Sequence, residues 1–325
     1  MLPPFGWQAV FTQWQQAPVV TVGVAAAAVA YLWGVARVAR RHRIRPWPAW
    51  RTATFLGGLA VLVLALEGGI GSYDDVLYAD HMIQHLMLIM VVPPMLIAGQ
   101  PITLLLHASR NPLHSWVKRA LRSRAASFLT WPPFGFAAYA VAIVVAHLTS
   151  VANLVATDRT AHDAEHVAFL VLGYLFFLPV TGSEPIRWRL SYPARLLLLF
   201  LVMPVDTFTG VVLGYGGRSG YGLPVGPRPA WAGSAVADLH AGGAVMWVAG
   251  DAIMFVLMMF VFVRWATDPK ASSRNRGWLE AARRATVAPG VTGAPGLDID
   301  SDDDPLAAYN AYLARLSSER AQPPG

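Results

Sequence analysis

No cysteine occurs anywhere in the 325 residues. Disulfide staples, thiolate zinc sites, iron–sulfur clusters and CxxC redox pairs are excluded with it. Any transition metal must be held by His, Met, Asp or Glu. Lysine is nearly missing too: only Lys118 and Lys270 occur, both in polar segments. A retinal Schiff base needs a lysine inside a membrane span, so a rhodopsin-like reading fails. Charge of either sign is scarce, at 14% against about a quarter in soluble domains. Residues 1–18 carry no charge, so the positive n-region of a cleavable signal peptide is missing. No nucleophile motif, phosphate loop or spaced acid–base pair is recognisable, which argues against an enzyme.

What is present is apolar: 55% of the residues are hydrophobic. Seven runs, at 17–38, 52–71, 80–98, 131–152, 162–181, 194–214 and 236–264, reach the length of about 20 residues that a bilayer requires. Short loops between them predict an all-α, polytopic membrane bundle of seven transmembrane helices. The net charge of +6 could suggest nucleic acid, but the basic residues lie in short loops between apolar runs. With the N-terminus outside and the C-terminus in the cytoplasm, only Arg159, Arg218 and Arg228 of the 25 basic residues fall outside. That split predicts a multi-pass membrane protein with its basic loops in the cytoplasm and no nucleic-acid partner. Residues 1–265 read as the transmembrane domain and 266–325 as a cytoplasmic, largely disordered tail, with a short helix at 306–316. The Gly- and Pro-rich stretch 215–235 reads as a coil over the outer mouth.

Six of the nine histidines collect at the predicted outer end: His81, His85, His147, His162, His166 and His240. His81/His85 and His162/His166 have the i,i+4 spacing that stacks two rings on one helical face, about 6 Å apart along the axis. Imidazole is the commonest transition-metal ligand, and ionisable groups are costly inside a membrane. Asp80, Met82, Glu165 and Asp238 are neighbours that can complete a site. Imidazole suits copper, zinc, nickel and iron, and thioether favours Cu(I). A His-rich, thiol-free site fits copper well, and iron only through heme. The ordinary alternative for any single histidine is a satisfied interfacial residue. The acidic outer loops, with Asp74, Asp75, Asp158 and Asp163, would concentrate cations, or they are simply loops depleted of basic residues.

Two carboxylates lie deeper. Asp206 follows Pro204, and Asp251 comes eleven residues after His240, so a regular helix would align His240, Asp251 and Met254 in one inward stripe. The ordinary reading of each Asp is a protonated carboxyl bonded between helices. Methionines crowd the third and seventh spans, where they serve as adaptable packing. Pro93, Pro94 and Gly99–Pro101 are expected to end the third span.

The segment DHMIQHLMLIMVVPPMLIAGQP, Asp80 to Pro101, resembles the hallmark segment of the CtaG-like cytochrome c oxidase assembly factors of Gram-positive bacteria. HDAEH (His162–His166), PVTGSEP (Pro179–Pro185) and LHAGGAVMWVAGD (Leu239–Asp251) fall where that seven-helix family carries similar patterns. The resemblance covers roughly residues 15–265. It implies a non-enzymatic role in maturing heme–copper oxidases, with copper as the metal, oxidase subunits as partners and a copper donor protein upstream. It maps the family's histidines onto His81, His85, His162, His166 and His240. Two other readings stand beside it: a heme-binding electron carrier, and a copper transporter using His240, Asp251 and Met254.

Overall fold

The computed structural model describes residues 2–41, 46–215 and 228–269. Most of the coil expected over 215–235 and nearly all of the expected tail with its short helix lie outside the described residues, as does His42. Among the described residues every regular element is a helix. Six are long and apolar enough to cross a membrane: α1 (Pro18–Arg41), α2 (Ala49–Tyr73), α3 (Tyr78–Ala108), α5 (Arg159–Thr181), α6 (Tyr192–Tyr215) and α7 (Ala235–Thr267). The seventh expected span, α4, is a bent pair, Pro132–Leu148 and Val151–Thr157, that turns by 68° at its break. The protein is a multi-pass membrane protein. The chain divides into units Met1–Val263 and Arg264–Gly325. Of the second, the described residues include only the end of α7.

Within the first unit α3 is central. It packs on α2, α5 and α7, and its last piece packs on α1. Its middle, with Leu88, Ile89, Met90 and Val92, is wholly buried. The expected end at Pro93 and Pro94 does not occur. Neither proline can donate to the carbonyls of Ile89 and Met90, and a regular helix would kink there. Instead the chain forms a π turn over Met87–Val91 and then continues as α-helix to Ala98. The break comes at Gln100, whose φ of 53° is left-handed, before a last helical piece, Pro101–Ala108. The π turn lies beyond His81 and His85 and leaves their spacing regular.

Two close approaches fix the frame. A Cβ at Gly173 of α5 would run into the Ile89 carbonyl oxygen, so α5 lies directly against the π turn of α3. On the other side, Gly210 and Gly214 of α6 meet Gly243 of α7 backbone to backbone, the small-xxx-small contact favoured between membrane helices. The PVTGSEP loop places Glu184 as a cap for the broken α3. Its Oε1 accepts from Ile102 N (2.9 Å), and its Oε2 accepts from Thr103 N (2.9 Å) and Thr103 Oγ1 (2.6 Å). Burial pushes the Glu184 carboxyl up from its ordinary value, and these hydrogen bonds oppose the shift.

Candidate metal centre

The N-terminal ends of α3 and α5 meet at one end of the bundle, beside the last turn of the first α4 piece. Asp238 of α7 fixes α3, accepting from Tyr78 N (2.8 Å) and Ala79 N (3.0 Å). Asp158 caps α5 by accepting from Ala161 N at 2.9 Å. These caps place His81, His85, His162 and His166 within the first two or three turns of their helices. His147 precedes the bend of α4, and beyond the bend Ala152, Val155 and Ala156 line the cavity that His81, His85, His147 and His162 share.

The five rings form one contiguous group. Ring centroids are 4.0 Å apart for His81–His85, 4.4 Å for His162–His166, 5.1 Å for His81–His162 and 5.2 Å for His85–His147. Each i,i+4 pair meets a carboxylate from another part of the chain. Glu165 Oε2 lies 3.2 Å from His85 Nε2 and 3.8 Å from His81 Nε2. Asp74, just past α2, lies 3.8 Å from His162 Nε2, and the exposed Asp75 lies 3.6 Å from its Nδ1. The donor atoms of His81/His85/Glu165 fall within 4.8 Å of one another, as do those of Asp74/His162/His166. Burial, and next the neighbouring Asp75 charge, push the Asp74 carboxyl up to about 7.

Hydrogen bonding dictates which ring nitrogens carry protons. His147 Nδ1 faces the Ile143 carbonyl at 2.8 Å, so it must be the protonated donor there. Its Nε2 is then a lone-pair acceptor, and His85 Nδ1, 3.1 Å away, must donate to it. His85 Nε2 is left with a bare lone pair pointing at a carboxylate oxygen. It has no hydrogen-bond partner, and neither have Glu165 Oε2, His162 Nε2 and His166 Nε2, all fully shielded atoms. A buried acceptor without a donor costs about 1–3 kcal/mol. A cation between such atoms removes that cost, and a ring fixed through its other nitrogen is the usual arrangement behind a metal ligand.

The structure departs from the sequence at several expected ligands. Met82 is buried and lines the cavity, as a companion must. Asp80 is buried with neither oxygen bonded, but it lies outside both donor groups, and the charges acting on it are Asp74 and Asp238. Asp238 is committed elsewhere: besides capping α3 it pairs with Arg228 at 2.9 Å. His240 is exposed and shares no ring contact or ion pair with the cluster. The stripe through His240, Asp251 and Met254 does not form as expected. A second π turn, Val245–Ala249, lies between His240 and Asp251 and takes up one residue more than an α turn, which shifts the phase beyond it by about 100°. Asp251 Oδ2 instead accepts from Thr207 Oγ1 at 2.9 Å, and Asp206, wholly buried, faces the Tyr139 hydroxyl at 3.4 Å. Of the neighbours expected to complete a site Glu165 joins a donor group, and Asp74 is the companion that the sequence did not single out. Glu165 sits inside the HDAEH segment, and Asp74 had only its place in an acidic loop as a signal.

A sequence-family model described as a cytochrome c oxidase caa3 assembly factor (Caa3_CtaG) matches residues 29–268. Proteins of Mycobacterium bovis and Mycobacterium tuberculosis, both described as uncharacterized, are each 30% identical over an alignment of 326 positions that covers 96% of this chain and 45% of theirs. A protein of Mycobacterium leprae, described in the same way, is 28% identical over 95% of the chain and 45% of its own length. The chain therefore spans less than half the length of these relatives. No solved structure matches it.

Proposed function

The chain belongs to the cytochrome c oxidase caa3 assembly factor family, and from that premise we propose that it holds copper at the histidine cluster and supplies it to a heme–copper oxidase during assembly. The observation that carries this reading is the set of four shielded, unpartnered donor atoms on His85, Glu165, His162 and His166. Neutral imidazole with carboxylate, and no thiolate, is a donor set that copper accepts. Copper here is cargo. The residues bind and orient it, and no bond of a substrate need break. With the N-terminus outside, the orientation that the basic loops support, the cluster would face the outer side, where a copper donor protein would load it and the oxidase subunits would receive from it. His147 holds the His85 ring so that Nε2 faces the site.

The geometry disfavours the two rival readings. A bis-histidine electron-transfer heme places its two axial ligands on opposite faces of a flat macrocycle, whereas rings from α3 and α5 lie next to each other across the helix interface. Transport along α7 lacks its stripe, because His240 is exposed. The test is complementation of a bacterium lacking this gene, reading copper per assembled oxidase in its membranes. The wild-type chain restores it, and His81→Ala/His85→Ala leaves it several-fold low with the protein still inserted. Full restoration by that variant overturns the proposal.

A further inference from the structure

The geometry points to two metal positions rather than one, arranged as adjacent stations of a relay. This inference rests on the copper reading above and adds stoichiometry and route to it. A regular helix puts both rings of an i,i+4 pair on one face, so the simplest expectation is that two such faces converge on one ion. The structure pairs them differently. The α3 pair takes its carboxylate from α5, and the α5 pair takes its carboxylate from the end of α2. Glu165 lies between His162 and His166 in sequence, yet it serves the other pair, at 3.2 Å from His85. Each group is thus a complete set of two imidazoles and one carboxylate, with no donor shared.

Charge supports the division. Two cations side by side repel, and an anionic ligand on each lowers that repulsion; Glu165 and Asp74 supply one each. Each group also keeps shielded donor atoms without partners: His85 Nε2 and Glu165 Oε2 in the first, His162 Nε2 and His166 Nε2 in the second. The groups meet where the His81 and His162 rings approach, tilted by 42° with centroids 5.1 Å apart.

They open differently. The first lines a cleft roofed by the bent piece of α4, with Ala152 and Val155 on its wall. The second lines another cleft, between residues 15–20 and α5, with Arg159, Asp163 and Val167 on its wall. Asp74, Asp75 and His162 border both. An ion can therefore enter by one cleft, pass between neighbouring imidazoles and leave by the other without crossing bulk solvent. His162 is the positioning residue for that passage, since it borders both clefts.

Cu(II) titrated into the purified full chain in detergent, with metal analysis after desalting and paramagnetic resonance at each step, tests the inference. Two coppers per wild-type chain are expected. One should remain in His81→Ala/His85→Ala, and one in His162→Ala/His166→Ala. The resonance intensity per copper should fall as the second equivalent enters, because neighbouring paramagnetic ions couple. Saturation at one copper, lost from both double variants, overturns the two stations and leaves the copper reading standing. A chain that holds no copper overturns both. Should a double variant fail to fold, the wild-type resonance decides alone: a constant signal per copper from one to two equivalents overturns the inference.

Discussion

Asp238 and Glu165 are equally buried, 8% exposed each, at the same end of the bundle, yet their oxygens are used differently. Asp238 receives Tyr78 N, Ala79 N and the Arg228 guanidinium, so its charge is spent on holding α3 in place. Glu165 receives no hydrogen bond at Oε2 and faces the bare nitrogen of His85. The same contrast separates Glu184, whose two oxygens cap the far piece of α3, from the His162/His166 pair. Buried polar groups that are fully paired shape a fold. Groups at one site that are all left unpaired, and aimed at each other, mark the place where a cation belongs.

Substitutions separate the two kinds of site. Asp238→Ala leaves a largely buried Arg228 without its carboxylate partner and two N–H groups of α3 without their acceptor, so a loss of about 3–5 kcal/mol in unfolding stability is expected. Copper bound per folded chain should not change. Thermal unfolding in detergent beside metal analysis checks both halves, and copper lost in step with neither unfolding nor yield would make Asp238 a ligand after all. His147→Phe should act the other way. It removes the acceptor that orients His85, so copper affinity should fall about 10–100-fold, with stoichiometry kept. A chelator competition reads this, and unchanged affinity would strip His147 of its orienting role. His240→Ala should do least, within about 0.5 kcal/mol in stability, as for other exposed positions, with copper binding intact. A measurable drop in bound copper would return His240 to the cluster.

The histidine pairs were legible because α-helical periodicity governs them locally, and no π turn falls between His81 and His85 or between His162 and His166. The positions that went astray all depend on something periodicity does not encode. His240 precedes a π turn that breaks the phase of α7. Asp238 finds a partner 160 residues away in Tyr78. Pro93 and Pro94 sit in a helix that survives them because the π turn takes up the mismatch and the bundle buries it. Asp74 enters the site because α2 and α5 both pack on α3, which brings the turn after α2 to His162, and nothing local in its acidic loop announces this. The membrane spans were legible from hydropathy alone, except that α4 bends after His147 and turns its last piece over the site.

The identity of the atoms around bound copper is the most direct test of what the unpaired groups are for. X-ray absorption at the copper edge of the loaded wild-type chain should show a nitrogen and oxygen shell with the outer scattering of imidazole rings. A shell dominated by sulfur, which in this chain can only be methionine, or an absence of bound copper, would contradict it.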